Sequence, residues 1–178
     1  MASESDLAGT LTGLLAEFDR RNVPYALAGG WAFSALVEPR TTTDIDLLIL
    51  LDSPSQESIQ SLVSSVFSST IVHPTPMKLK GVSIWRCTGL RNNQEVVVDF
   101  LLADSAFLKS ALARRQQITL GNQRVAMLTL EDLMLTKMIA GRLQDLADLE
   151  KIEANKTQLQ IDWPYLERWK TVLGLEKR

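Results

Sequence analysis

The chain has one cysteine, one histidine and no long apolar run, and each scarcity removes a class of function. A lone Cys87 closes no internal disulfide and builds no thiolate zinc site. In a strand beside Trp85 it reads as buried and inert. His73, followed by Pro74, offers neither a histidine metal cluster nor an obvious Ser-His-Asp set, and reads as a solvated loop residue. No segment approaches the length of a membrane span. The opening MASESDLAGT lacks the basic and apolar regions of a signal peptide, so the expected compartment is the cytoplasm. Charge of one sign is lacking too: a net charge of −2 exerts no global pull on nucleic acid or membrane.

What is present is enough apolar material for a real core, 46% of 178 residues, in a length that suits one domain or one domain with a small appendage. The charges are unevenly spread. Residues 1–77 carry nine acids and three bases, whereas residues 78–124 carry eight bases and three acids. A polyanionic substrate laid between an acidic and a basic half would use such a split, although a solvated basic face explains it equally well.

Periodicity orders the elements. Leu7, Leu11, Leu14, Leu15 and Phe18 recur at helical spacing, and Asn22-Val23-Pro24 breaks the helix. A short strand Tyr25–Ala28 runs into Gly29-Gly30, and a second helix spans Trp31–Val37. Asp44–Leu51 reads as a strand, and Asp52-Ser53-Pro54 caps a helix ending near Phe67. Three strands follow, Ile71–Leu79, Val82–Thr88 and Gln94–Leu102, with turns at Lys80-Gly81 and Arg91-Asn92-Asn93. A short helix at Ser105–Arg114 and one edge strand at Gly121–Ala126 complete the first part. From Thr129, which forms a capping box with Asp132, the chain is helical, with Gly141 as a possible break. Asp162 and Pro164 start a last helix. The expected fold is an α+β class, a mixed β-sheet flanked by helices with a helical C-terminal part. Residues 1–126 form its core, and residues 127–178 are expected to lie against that core in a single compact unit.

Three carboxylates interrupt strands that otherwise read as buried: Asp44 and Asp46 in TTTDIDLLIL, and Asp99 in EVVVDFLLA. Burying an ionised Asp costs several kcal/mol, on the order of the penalties for unpaired buried charge, unless something compensates it. Asp44 and Asp46 stand two apart, so in a strand they share a face, opposite Ile45, Leu47 and Ile49. Like charges side by side call for a cation, and an all-oxygen site suits Mg²⁺. Gly29-Gly30 between strand and helix lets a ligand approach the backbone at a helix start, although such a pair is more often only a tight turn. If the strands of Asp46 and Asp99 are neighbours, three carboxylates converge near that turn. The alternative is that Asp44 caps its strand and Asp99 pairs with an arginine.

The segment GGWAFSALVEPRTTTDIDLLI resembles the signature of nucleotidyltransferases of the polymerase β-like superfamily. Its form, Gly-Gly-x-Ala followed by Arg-x-Thr-x-Asp-x-Asp, is similar to that of the AbiEii-type and minimal nucleotidyltransferases. The later EDLMLTKMIAGRLQDLADLEKI resembles their C-terminal motif. The resemblance implies a nucleotidyltransferase-like fold and roles for particular residues. Gly29 and Gly30 would hold nucleotide phosphates. Asp44, Asp46 and Asp99 would be the catalytic, Mg²⁺-binding carboxylates. Lys137 would reach the triphosphate, and Arg40 would order its loop or touch phosphate. Thr43, with Thr41 and Thr42, would donate to phosphate or cap the strand entry. Asp145 and Asp148 would orient Lys137 or Arg142, and an ion-paired solvent face accounts for those four residues equally well. Trp31 departs from the pattern, which favours a small residue at that place, and packing is its simplest role.

The implied activity is Mg²⁺-dependent transfer of a nucleoside monophosphate from a nucleoside triphosphate to a hydroxyl. The acceptor is the end of an RNA such as tRNA, a protein, or a small molecule such as an aminoglycoside. The resemblance further implies a toxin of a toxin–antitoxin system with an antitoxin partner, and no membrane association. A catalytically inactive nucleotide- or partner-binding module and a metal-dependent phosphohydrolase are the rival readings.

Overall fold

The Leu- and Ile-rich run after Thr43 becomes the middle of a mixed sheet. The computed structural model of the chain describes residues 4–176. Within it β2 (Asp44–Ile49) lies between β1 (Tyr25–Leu27), to which it is antiparallel, and β6 (Gln94–Leu102), to which it is parallel. Beyond β6 comes β5 (Val82–Arg91), which pairs with both β3 (Ser69–Val72) and β4 (Met77–Leu79). Beyond β1 come β8 (Gln123–Met127), parallel to it, and β7 (Gln116–Leu120) at the edge. The order is β3-β5-β6-β2-β1-β8-β7.

The two faces of the centre have different characters because side chains alternate along a strand. Ile45, Leu47 and Ile49 point to one face and are fully buried. Phe100, the register partner of Leu47, shares it. That face receives α1 (Glu4–Arg21), whose Phe18 ring lies 6.3 Å from Phe100 and 5.3 Å from Tyr25. Asp44, Asp46 and Leu48 point to the opposite face, with Asp99, Leu101, Arg86 and Ile84 beside them by register. The helices nearest that face are α2 (Gly29–Leu36) and α5 (Leu130–Ala140).

The remaining helices are α3 (Gln56–Val63), α4 (Ala106–Arg114), α6 (Leu143–Asn155) and α7 (Trp163–Leu173). Several boundaries differ from the sequence expectation, each for a local reason. The N-cap of α3 is Ser55, in a reciprocal capping box with Ser58, and not the Asp52-Ser53-Pro54 stretch. That helix also stops at Val63, before Phe67. The expected strand 71–79 is two strands, parted where His73 and Pro74 leave the ladder. The expected edge strand near Gly121 is a hairpin, with Gly121 in its turn, and the polar Gln116–Leu120 supplies the true edge. Gly141 takes a left-handed conformation (φ 61°) and ends α5, so α5 and α6 are separate helices.

A buried polar cluster fastens α7. The Tyr165 hydroxyl donates to Asp132 Oδ1 at 2.6 Å, and Thr129 Oγ1 donates to Asp132 Oδ2 at 2.9 Å. Arg114 Nη2 donates to Glu131 Oε2 at 3.2 Å while its guanidinium lies over the Tyr165 ring, 3.5 Å from the centroid. Burial raises the Asp132 carboxyl above its usual range, against the donors from Tyr165 and Thr129. Tyr165→Phe therefore removes one donor from a buried carboxylate without opening a cavity. It should lower unfolding free energy by about 1–2 kcal/mol in urea titrations at neutral pH. An unchanged midpoint and slope would mean that Thr129 and Arg114 satisfy Asp132 on their own.

Candidate active site

The parallel register of β2 and β6 sets Asp46 opposite Asp99. Asp44, Asp46 and Asp99 each offer a carboxylate oxygen within 4.8 Å of the others. The convergence expected of separate strands thus exists. So does the rival arrangement for Asp99, because Arg86 lies opposite it on β5 and grips it at both ends. Arg86 Nε donates to Oδ1 at 2.8 Å and Nη2 to Oδ2 at 2.6 Å. One carboxylate is therefore both a member of the cluster and half of an ion pair.

The crowding shows in Asp46. Burial first, then the charges of Asp44 and Asp99, push its carboxyl up to about 7. Arg142 and Lys137 oppose that shift and do not cancel it. The cluster thus carries more negative charge than its neighbours neutralise, and its ligand atoms are hard oxygens. Such a donor set fits a divalent cation of the Mg²⁺ type.

The glycine pair is shaped around these residues. Gly29 has φ +57°, and a Cβ on it would stand 1.8 Å from Asp46 Oδ2. Ala28 N donates to the Asp46 carbonyl at 2.9 Å, which locks the turn to β2. A Cβ on Gly30 would meet Thr42 Oγ1 at 2.6 Å. Both glycines are needed for close approach, and the chain segment that approaches is the strand of carboxylates. Of the three threonines, Thr42 touches the cluster: its Oγ1 donates to the Asp44 carbonyl at 3.2 Å and lies 3.3 Å from Asp44 Oδ1. Thr41 and Thr43 are exposed along the same cleft.

The cations behind the cluster form a chain of ion pairs. Lys137 Nζ lies 2.5 Å from Asp148 Oδ2 and 3.6 Å from Asp145 Oδ1. Arg40 Nη2 lies 3.2 Å from the same Asp148 oxygen, and Arg142 Nε donates to Asp145 Oδ2 at 2.8 Å. Gln144 Nε2 fills Asp148 Oδ1 at 3.0 Å. Lys137 is only 3% exposed. Lys137 and Asp148 face each other across the Gly141 break between α5 and α6. Lys137 and Asp145 still line the cleft, with Arg142 half out of it.

Arg86 is the residue that sequence reasoning missed. Its signal is faint: a charged residue between Ile84 and Thr88 on the same face of a strand. Trp31 is half-buried against the core, and its indole N–H has no partner. Cys87 is fully buried, and burial pushes its thiol up to about 12. His73 is exposed, with Nδ1 2.6 Å from the Thr75 carbonyl. No helix among the described residues is long and apolar enough to cross a membrane.

Two hollows meet at the carboxylates. One is polar and is lined by Gly29, Gly30, Thr41–Thr43, Asp44 and Arg40. The other is mostly apolar and lies between β4, β5, β6 and α5. Gly29, Asp46, Lys137, Arg142 and Asp145 border both.

Comparison with known proteins gives a consistent picture. A family model described as aminoglycoside-2''-adenylyltransferase matches residues 10–134. No curated protein sequence matches. Among solved structures, a nucleotidyltransferase-like antigenic protein from Paracoccidioides brasiliensis superposes with a TM-score of 0.53 at 22% identity, covering 83% of this chain and 74% of that one. ANT(2'')-Ia in complex with adenylyl-2''-tobramycin gives 0.55 at 14% identity over 92% and 94%. The lincosamide antibiotic adenylyltransferase LnuA, with lincomycin bound, gives 0.50 at 14% over 85% and 97%. These likenesses establish the α+β nucleotidyltransferase fold. They place the chain among polymerase β-like nucleotidyltransferases in general and do not single out the AbiEii type.

Two outcomes follow from the geometry. Gly29→Ala forces a side chain into Asp46 at a positive φ, so metal binding should fall more than tenfold by calorimetry, and a fold retained by circular dichroism would localise the damage. The Asp46 carboxyl holds its proton more tightly folded, at about 7, than unfolded, near 3.8. In metal-free protein its contribution to stability therefore declines as pH rises through that window. Asp46→Asn should then melt higher than the parent at pH 8, with the gap closing toward pH 5. A gap independent of pH would mean that Asp46 ionises without penalty.

Proposed function

Because the chain belongs to the aminoglycoside-2''-adenylyltransferase family and is thereby a nucleotidyltransferase, we propose that it transfers a nucleoside monophosphate, adenylate by family, from a triphosphate to a hydroxyl of a small molecule. The observation that carries this reading is the meeting of Asp44, Asp46 and Asp99 within 4.8 Å at the border between a polar and an apolar hollow.

In this scheme the triphosphate lies in the polar hollow, along the Gly29-Gly30 turn and Thr41–Thr43. Arg142 and the buried Lys137 supply positive potential from its floor. Lys137 acts in place, held by Asp148 and Asp145, so its contribution is fixed charge and not a mobile contact. Arg40 secures the loop before β2 by pairing with Asp148. Asp44, Asp46 and Asp99 would hold Mg²⁺, which neutralises phosphate charge and lowers the pKa of an attacking hydroxyl when bound. The hydroxyl oxygen forms a bond to the α-phosphorus as the bond to pyrophosphate breaks. Asp99, on the side of the apolar hollow, takes the proton. Arg86, donating to both of its oxygens, holds Asp99 oriented for that task.

A small acceptor is favoured over RNA because at least half of the eight bases of the middle segment are engaged by partners. Arg86 is engaged by Asp99, Lys78 by Asp104, Arg114 by Glu131 and Asp132, and Arg91 by the Val66 carbonyl. An AbiEii-type toxin role with a protein or tRNA acceptor and an antitoxin partner is the finer alternative. It rests on the sequence motif alone, whereas the matched family points to small molecules. A binding module without catalysis is the second reading, and the grip of Arg86 on both Asp99 oxygens is what favours it.

The deciding experiment supplies labelled ATP, Mg²⁺ and a panel of hydroxylated antibiotics and follows pyrophosphate. Turnover is expected, with Asp44→Asn reducing it by at least about 10³-fold, as for loss of a principal electrostatic group, while leaving the circular dichroism spectrum intact. Nucleotide binding with no pyrophosphate from any acceptor would favour the binding module. Full activity in Asp44→Asn would refute the assignment.

A further inference from the structure

The apolar hollow has a composition that its family's name does not predict. Its walls are Leu79, Val82, Ile84 and Leu101 from the sheet and Leu133 and Ile139 from α5. Ile84 and Leu101 are a cross-strand pair on the face that carries Asp99 and Arg86, two residues further along the same strands. Both are only partly buried, so their aliphatic surface faces the hollow. The single hydroxyl of the lining, Thr136 Oγ1, donates to the Leu133 carbonyl at 2.8 Å.

The charge around the hollow is also informative. The carboxylates that border it are Asp46, Asp99 and Asp145. Asp99 is taken by Arg86, and Asp145 by Arg142 and Lys137. Asp46 belongs to the cation-binding cluster. At the rim, Lys80 Nζ donates to the carbonyl of the lining residue Ala140 at 3.2 Å, and Arg142 is half exposed. A polyamine sugar needs several unpaired carboxylates to replace the water around its ammonium groups. Among the described residues this hollow offers it none outside the cluster, and presents cations at its edge instead.

We propose that this hollow is the acceptor site, and that the acceptor is a hydroxylated small molecule with an apolar, largely uncharged body, not a polycationic aminoglycoside. The hollow admits only about 60 Å³, so a short apolar arm of the acceptor enters it against Ile84 and Leu101, which presents the adjoining hydroxyl to Asp99. The proposal rests on the nucleotidyl-transfer reading for the chemistry, but the binding specificity stands apart from it and is measured separately.

The test is calorimetric titration of the intact protein, with Mg²⁺ and ATP, using hexyl glucoside and lincomycin as apolar-bodied probes and tobramycin as the polycation. The apolar-bodied probes are expected to bind and tobramycin to bind at least about tenfold more weakly. Ile84→Glu places a carboxylate among the aliphatic walls and should reverse the order, weakening the apolar probes on the order of tenfold or more. Ile84→Ala, which keeps the strand and adds no charge, should weaken them several-fold through lost apolar contact. Preference of the parent for tobramycin, absence of binding by both apolar probes, or indifference to both Ile84 variants would overturn the proposal. Weakened ATP binding in Ile84→Glu would do so as well, by assigning the hollow to the nucleobase. Pyrophosphate release is read in the same samples. Binding as expected without release from these probes leaves the specificity of the hollow standing, and the transfer reading is then decided by the acceptor panel.

Discussion

The structure is organised around a repulsion. Three carboxylates are held within 4.8 Å of one another by the parallel pairing of β2 with β6, and among the described residues nothing fully neutralises them. The register Asp46 to Asp99 is the hinge of this arrangement. A slip of one residue would send Asp99 to the face covered by α1 and bring Val98 or Phe100 to the cluster, because alternate side chains face opposite ways. What prevents the slip lies on the other face. Ile45, Leu47, Ile49, Val98 and Phe100 are fully buried there, and exposing that set would forfeit roughly 1.5–3 kcal/mol for each large side chain. The apolar face thus stabilises a geometry that the polar face opposes.

The neighbouring cations show how the fold contains this strain without discharging it. Arg86 satisfies Asp99 alone. Arg40, Lys137 and Arg142 are matched to Asp148 and Asp145, so most of their charge is spent within their own network. A buried network of this kind adds little net stability compared with apolar packing, and removing one member is far more costly than replacing the whole. Its evident effect is positional. It joins the loop before β2, the end of α5 and the start of α6 at one point beside the cleft. Asp46 stays under-neutralised, which is the condition in which a divalent cation gains most by binding.

This division explains what could be read in the sequence. Asp44, Asp46 and the glycine pair announce themselves locally, because two carboxylates in an apolar strand break its pattern and two glycines mark the join of a strand to a helix. Asp99 needed one assumption, that its strand neighbours theirs. Arg86 carried no such mark: its pairing with Asp99 depends on an antiparallel register that no local pattern specifies. Lys137 and Asp148 were legible as partners but not in their geometry: Gly141 turns the chain and pairs them across two helices. The hairpin of β7 and β8 was half visible, since β8 ends in a buried run whereas the edge strand Gln116–Leu120 is short and largely polar. The apolar hollow was invisible for a similar reason. Leu79, Ile84, Leu101 and Leu133 read as ordinary core until the sheet places them beside a carboxylate.

The uneven charge of the sequence has its own lesson. A run of eight bases after residue 77 suggests a surface for a polyanion, yet the fold scatters several of them into separate pairs. Linear charge density survives folding only when neighbouring bases face the same way and lack partners, and strand alternation works against the first condition. What remains near the cluster is Arg142 on its polar side and aliphatic surface on the other. On the proposed function, recognition of the two substrates would be divided between the faces of one carboxylate cluster: charge and backbone for a triphosphate on the glycine side, shape and apolar area for the acceptor on the Asp99 side.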